Sequence, residues 1–170
     1  MFRADLINQI ITSNSPEAFT LCNKSCFGEN IEGKIQYSLS EAIYLVETGK
    51  MSLYLKNKKI TKKDIIKKLQ KIDKKIPIKY PVYRDLRKKG YIVKAALKFG
   101  ADFRVYPKGS KPGKKHAKWI VFAEHELNKL NWQDFSAKNR IAHSTKKKLL
   151  LAIVDEESDI TYYEVSWIKP

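Results

Sequence analysis

Cysteine is scarce in this chain, long apolar runs are missing, and acidic residues are outnumbered by basic ones, 18 to 34. Each shortage excludes something. Cys22 and Cys26 stand in C-x3-C spacing with no second pair or adjacent histidine to complete a metal site, so they read as reduced structural thiols. The three histidines show no HxxxH or HxH spacing, and no cofactor or metal is expected. No stretch approaches the roughly 20 apolar residues of a membrane span. The opening MFRADLINQIITSN carries Asp5 and no signal-peptide pattern. Neither a broad apolar amphipathic face nor a lipidation signal stands out. The expectation is a soluble, cytoplasmic protein without a membrane partner.

What remains is basic and folded. A formal charge of +16 on 170 residues concentrates polyanions at the surface, which makes nucleic acid the default partner. Hydrophobic residues at 43% and aromatics at 11% are enough for a packed core. The charge is uneven: Lys56 to Lys98 holds seventeen Lys or Arg and three acids, or +14 of the total. That stretch reads either as a nucleic-acid surface or as a solvated lysine face.

The pattern along the chain predicts a mixed α/β (α+β) protein in two parts, a small N-terminal α/β domain over residues 1–80 and a C-terminal α/β domain over 81–170. Short apolar runs at Leu6 to Ile11 and Phe19 to Cys22, separated by turn formers, predict short strands in the first 37 residues. Ser38-Leu39-Ser40-Glu41 is a capping box, so a helix should follow and stop at Gly49. Ser52 to Leu55 reads as a strand, and Thr61 as the cap of a helix carrying Ile65, Ile66, Leu69 and Ile72. Pro77 and Pro81 should interrupt the chain before a further helix through Tyr83, Leu86 and Arg87 that ends at Gly90.

In the second part, strands are expected at Phe103 to Tyr106, Trp119 to Ala123, Leu149 to Val154 and Ile160 to Trp167, with a helix around Ser136 to Lys146. Leu149 to Val154 is apolar on both faces and should be a central strand covered by helices.

Three residues in that second part carry chemistry. Tyr106 ends Phe103-Arg104-Val105-Tyr106 before Pro107. His116 follows the loop Lys108-Gly109-Ser110-Lys111-Pro112-Gly113 and is expected to open a strand. Lys147 lies inside Lys146-Lys147-Lys148. Singly, each has a plain structural reading: an aromatic at a sheet edge, an exposed histidine in a basic hairpin, a solvated lysine run. Jointly they supply a proton acceptor, a proton donor and a fixed cation. RNA cleavage by internal attack needs those three things, because the 2'-hydroxyl loses a proton, the 5'-oxygen gains one and the phosphorane carries negative charge.

With their flanks, KFGADFRVYPKG, the histidine ten residues after the tyrosine, and RIAHSTKKKLLLAIVDEESDITYYEVSW, these residues give the chain a resemblance to the archaeal tRNA-intron splicing endonucleases over nearly all of residues 80–170. The resemblance implies a C-terminal nuclease domain with a central mixed sheet flanked by helices. It places that family's catalytic tyrosine, histidine and lysine on Tyr106, His116 and Lys147, with Lys146 and Lys148 adjacent because the usual Arg-Lys-Lys reads here as Lys-Lys-Lys. The implied activity is a tRNA-intron lyase acting on bulge-helix-bulge precursor tRNA to leave a 2',3'-cyclic phosphate and a 5'-hydroxyl.

It further implies a homotetramer, a dimer of dimers, docked through an acidic loop matched by Asp155, Glu156, Glu157 and Asp159. A charged hairpin turn is the plain reading of that loop. Two other readings stand beside this one. One is a non-catalytic structural subunit of such an enzyme. The other is a metal-dependent DNA nuclease, on a loose PD-ExK-like match at Pro16-Glu17 and Glu32-Gly33-Lys34.

Overall fold

The structure, a computed structural model, describes residues 1–168. The end of the domain expected over 81–170 therefore lies outside the described residues. The chain forms two compact units that meet in sequence at Tyr80 and Pro81. Both are mixed α/β, as the sequence pattern implies.

The first unit is built on a six-stranded sheet. Its strands are β1 (Phe2–Ile7), β2 (Ile10–Ser13), β3 (Glu29–Ile31), β4 (Lys34–Tyr37), β5 (Met51–Leu55) and β6 (Lys58–Lys59), ordered β3-β4-β2-β1-β5-β6. β1 and β5 run parallel and the other pairs antiparallel. Alternation explains the burial of β1, where Phe2, Ala4 and Leu6 face inward and Arg3 pairs with Asp5 outside. The capping box forms as expected at the head of α2 (Leu39–Glu47). Glu41 is 2% exposed and accepts from the Ser38 backbone N–H and hydroxyl at 2.9 Å, and from the Gly28 N–H at 3.0 Å.

Several expectations for this unit fail. The run Leu6 to Ile11 is not one strand, because Asn8 and Gln9, with φ of 48° and 67°, turn the chain between β1 and β2. Residues Phe19 to Cys22 are not a strand but part of helix α1 (Pro16–Ser25), whose start is marked by the Ser15 N-cap, Pro16 at its first position and Glu17 in its first turn. The apolar residues there are too few to outweigh those cap signals. The helix after Thr61 is also shorter than its periodicity suggests. Thr61 accepts from the Asp64 N–H at 3.2 Å and closes a turn, α3 (Ile65–Leu69) buries Ile65 and Leu69, and Ile72 falls in the turn beyond.

Pro77 and Pro81 do not interrupt the chain; both lie within α4 (Ile76–Lys88). Pro77 sits in the first turn, where a missing N–H costs nothing. Pro81 is interior, where the cost is about 3 kcal/mol. Burial of Tyr80, Val82, Tyr83 and Leu86 offsets it.

The second unit holds a five-stranded sheet of β7 (Ile92–Ala95), β8 (Phe103–Tyr106), β9 (Trp119–His125), β10 (Lys148–Val154) and β11 (Ile160–Val165), ordered β11-β10-β9-β8-β7. β9 and β10 are parallel and joined through α5 (Trp132–Ser144); the remaining pairs are antiparallel. β7 was not legible as a strand because Lys94 breaks its apolar run, yet Lys94 is buried. β10 is flanked on both edges as expected, although the middle strand is β9.

α5 begins four residues before the expected start, capped by the Asn131 side chain, which accepts from the Asp134 N–H at 2.8 Å. Ala142 of α5 packs with Ile120, Phe122, Leu149 and Leu151 on one face of the sheet. On α4, Tyr83 meets Phe103 with ring centroids 5.8 Å apart, and Asp85 accepts from the Tyr162 hydroxyl of β11 at 2.7 Å.

Candidate active site

Strand alternation decides which way β8 presents its side chains. Phe103 and Val105 are buried in register with Val121 and Trp119, which leaves Arg104 and Tyr106 together on the opposite face, with Arg104 across from Ile120. Pro107 then ends the strand, and its carbonyl accepts from Ser110 N–H at 3.0 Å to start the loop toward β9. Gly109 and Gly113 take left-handed φ values of 74° and 87°, which lets this loop turn twice within a few residues.

His116 is an exposed loop residue and does not open a strand; β9 begins three residues later at Trp119. It is nevertheless held. Its neighbour Ala117 is buried, and the Lys118 N–H donates to the Val105 carbonyl at 2.8 Å, which pins the end of the loop to β8. Such a loop on a rigid sheet can carry a reactive group without costing the core.

Lys147 is placed by the way α5 ends. Lys146 adopts φ of 55°, its N–H donates to the His143 carbonyl at 2.9 Å, and the Lys147 N–H donates to the Ala142 carbonyl at 2.9 Å. This pair of bonds is a Schellman C-cap with a lysine in the left-handed position usually taken by glycine. The three lysines consequently part ways. Lys146 is exposed on the turn, and Lys148 enters β10 and pairs with Glu164 at 2.5 Å. Lys147 is half-buried, and its Nζ donates to the Thr145 carbonyl at 2.7 Å.

Tyr106, His116 and Lys147, from three separate segments, line one cleft of about 240 Å³. Arg104, Lys114 and Lys115 line it too, and no residue of its lining is acidic. Burial, and then the Arg104 charge, hold the Lys147 ammonium below its ordinary pKa. An anion entering the cleft relieves that repulsion. Arg104 escaped the reading of the sequence, although its place two residues before Tyr106 in an alternating strand was the available signal.

The other candidates lie elsewhere. His125 Nδ1 accepts from the Leu127 N–H at 3.3 Å, and His143 meets the Trp167 ring at 4.3 Å. The Cys22 thiol donates to the Gly28 carbonyl at 3.6 Å. Glu17 is in the first turn of α1, Glu32 is in the β3–β4 turn and Lys34 is in β4. Among the described residues, no group of three His, Cys, Asp or Glu side chains could hold a metal ion. No helix among them is long and apolar enough to cross a membrane.

The acidic loop between β10 and β11 is internally braced. Asp155 Oδ1 accepts from the N–H groups of Glu157 at 2.9 Å and Asp159 at 2.8 Å, and its own N–H donates to the Asp159 carbonyl at 3.1 Å. Asp155 is thus half-buried as the loop's brace, while Glu156, Glu157 and Asp159 are exposed.

Comparison with known proteins bears on both units. Residues 76–162 match the family model described as the tRNA intron endonuclease catalytic C-terminal domain, and residues 3–66 match the model of the N-terminal domain of the same family. The N-terminal part, outside the stretch that carries the sequence resemblance, thus has a match of its own. The chain is 43% identical over 149 residues to the tRNA-splicing endonuclease of Thermococcus kodakarensis, covering 88% of this chain and 87% of that protein. It is 43% identical over 150 residues to the tRNA-splicing endonuclease of Methanothermobacter thermautotrophicus, with the same coverage of 88% and 87%. With the tRNA-splicing endonuclease of Nanoarchaeum equitans the identity is 43% over 138 residues, 78% of this chain and 88% of that one.

Proposed function

The chain belongs to the tRNA intron endonuclease family, and from that premise we propose that it is a tRNA-splicing endonuclease that cuts precursor tRNA at bulge-helix-bulge sites. The observation that carries the reading is the convergence of Tyr106, His116 and Lys147 on one cleft lined by cations and free of acids.

The reaction follows from what each group can do. Tyr106 takes the proton of the 2'-hydroxyl, the freed oxygen forms a bond to the adjacent phosphorus, and the bond from phosphorus to the 5'-oxygen breaks. His116 gives its proton to that leaving oxygen. Lys147 stands against the phosphorane's equatorial oxygens, and Arg104 adds a second positive charge from the strand side. The products are a 2',3'-cyclic phosphate and a 5'-hydroxyl, which makes the enzyme a lyase.

Recognition is by shape. The deep groove of A-form RNA is closed to side chains, so a bulged helix is read by its backbone and its splayed bases. Two symmetric cuts in one substrate fit a homotetramer, a dimer of dimers in which the acidic loop of one subunit docks on another. The expected place of action is the cytoplasm.

The test is cleavage of a bulge-helix-bulge RNA by the purified chain in excess EDTA, with end-group analysis of the products. Cyclic phosphate and 5'-hydroxyl ends are expected. Loss of cleavage in EDTA would overturn the mechanism. Cleavage only after a partner chain is added would make this a supporting subunit.

A further inference from the structure

Charge within the first unit is divided sharply. Residues 1–55 contain four Lys or Arg and six acids, whereas residues 56–75 contain ten lysines and two acids. The fold leaves most of that second stretch exposed. Lys56 and Asn57 take left-handed φ values of 47° and 62° in the β5–β6 turn, and β6, holding Lys58 and Lys59, is one of the two edge strands of the sheet. α3 buries Ile65 and Leu69 one turn apart, which directs Lys67 and Lys68 outward. Lys63, Lys71 and Lys74 are exposed in the turns on either side.

The two acids in this stretch are already engaged. Asp64 accepts from the Thr61 hydroxyl at 2.6 Å, and Asp73 pairs with Lys79 at 2.8 Å. Elsewhere some cations meet carboxylates: Arg3 with Asp5, Lys89 with Asp85, Lys138 with Glu124, Lys148 with Glu164. Among the described residues, Lys58, Lys63, Lys67 and Lys71 make no such pair. A face of like charges repels itself, and a polyanion relieves that repulsion.

The same stretch tells against other occupants. None of the large hydrophobic residues exposed on the chain lies between residues 56 and 75. A protein interface would bring aromatic or aliphatic anchors to its centre, and a membrane-surface helix would show a broad apolar face. Ile60, Ile65 and Leu69 are instead turned into the core.

We propose that this face, formed by the β5–β6 turn, β6 and α3, binds the phosphate backbone of RNA, independently of base sequence and in addition to the cleft in the second unit. The choice of RNA among polyanions rests on the function proposed above. The face would hold duplex regions of a structured RNA outside the bulges, and each lysine that neutralises a phosphate releases a counterion.

The test uses the full chain and a plain RNA duplex without bulges, so its outcome does not depend on cleavage. Affinity is measured across a salt series for the wild type and for a variant carrying Lys58→Gln, Lys63→Gln, Lys67→Gln and Lys71→Gln. The expected result is affinity weakened about tenfold or more at moderate salt, with a salt slope shallower by about 2 or more. The loss should be equal on duplexes of different sequence, and the rate at saturating bulge-helix-bulge RNA should be unchanged. The pair Lys24→Gln and Lys34→Gln, outside the face, should alter neither affinity nor slope.

Unchanged affinity and slope in the fourfold variant would overturn the proposal, as would an equal loss in the control pair. A smaller particle mass for the fourfold variant by light scattering would also overturn it, making the face a contact between subunits. A wild type that binds duplex through these lysines but fails to cut would sink the cleavage reading and leave this one standing.

Discussion

Arg104 and Lys147 face the same cleft, one from a strand and one from a helix cap, and the guanidinium adds to burial in holding the lysine ammonium below its ordinary pKa. The unfolded chain binds the lysine proton more tightly, so stability rises with pH between the folded and unfolded pKa values. The proposed reaction uses the protonated form, so activity should fall as pH rises through the folded value. Arg104→Met removes one of the two causes and raises that value. The alkaline limb of the single-turnover rate should therefore move to higher pH, even if the plateau is lower. An unmoved limb would separate Arg104 from Lys147.

His116 is exposed on its loop and packs against no core. His116→Ala should accordingly keep the fold and RNA affinity while slowing single-turnover cleavage by roughly 100-fold or more, within the range for a general acid. Wild-type cleavage by the variant would remove His116 from the mechanism.

The lysine triplet separates by backbone geometry. Lys147→Ala should abolish most cleavage. Lys148→Ala should lose only an exposed pair with Glu164, worth at most about 1 kcal/mol, and remain active. Lys146→Gly should stabilise the protein by about 1 kcal/mol, because glycine takes the left-handed position without strain. Thermal unfolding and cleavage assays on the three variants check all of this, and an inactive Lys148→Ala would move the site by one residue.

Within the acidic loop, Asp155 braces the backbone, and the proposed docking falls to Glu156, Glu157 and Asp159. Glu156→Gln, Glu157→Gln and Asp159→Asn together should leave the fold intact and break the proposed tetramer into dimers by light scattering. Asp155→Ala removes the acceptor for two backbone N–H groups and should loosen the loop itself, seen as faster amide exchange there. An unchanged mass in the triple variant would refute the docking role.

In the first unit, Glu41 serves the α2 cap and the Gly28 N–H from a buried position. Glu41→Ala should cost about 2 to 3 kcal/mol of that unit's stability in denaturant unfolding, since a capping box is lost and a buried donor is stranded. A loss within the range of a surface change, about 0.5 kcal/mol, would deny the carboxylate this role.

Much of this was legible in the sequence where the signal is local. The Ser38–Glu41 box, the alternation of Phe103 to Tyr106 and the apolar run of β10 each declare an element within a few residues, because caps and pleats are short-range effects. The reading failed where distant burial overrides local preference. Pro81 lies inside a helix because its neighbours Tyr80 and Val82, and Tyr83 and Leu86 beyond them, are all buried. Buried Lys94 disguised β7, and Pro16 at a capped start turned an expected strand into α1.

The sequence by itself determined the mixed α/β class and the excess of positive charge, since these follow from the side chains and their order, and its resemblance to the endonuclease family pointed to the three candidate residues. Tertiary structure alone decided that Tyr106, His116 and Lys147 share one cleft, that Arg104 joins them and that Lys146 and Lys148 point elsewhere. Those outcomes depend on sheet register and on how α5 ends, which hydrogen bonds between residues far apart or around a single left-handed turn determine.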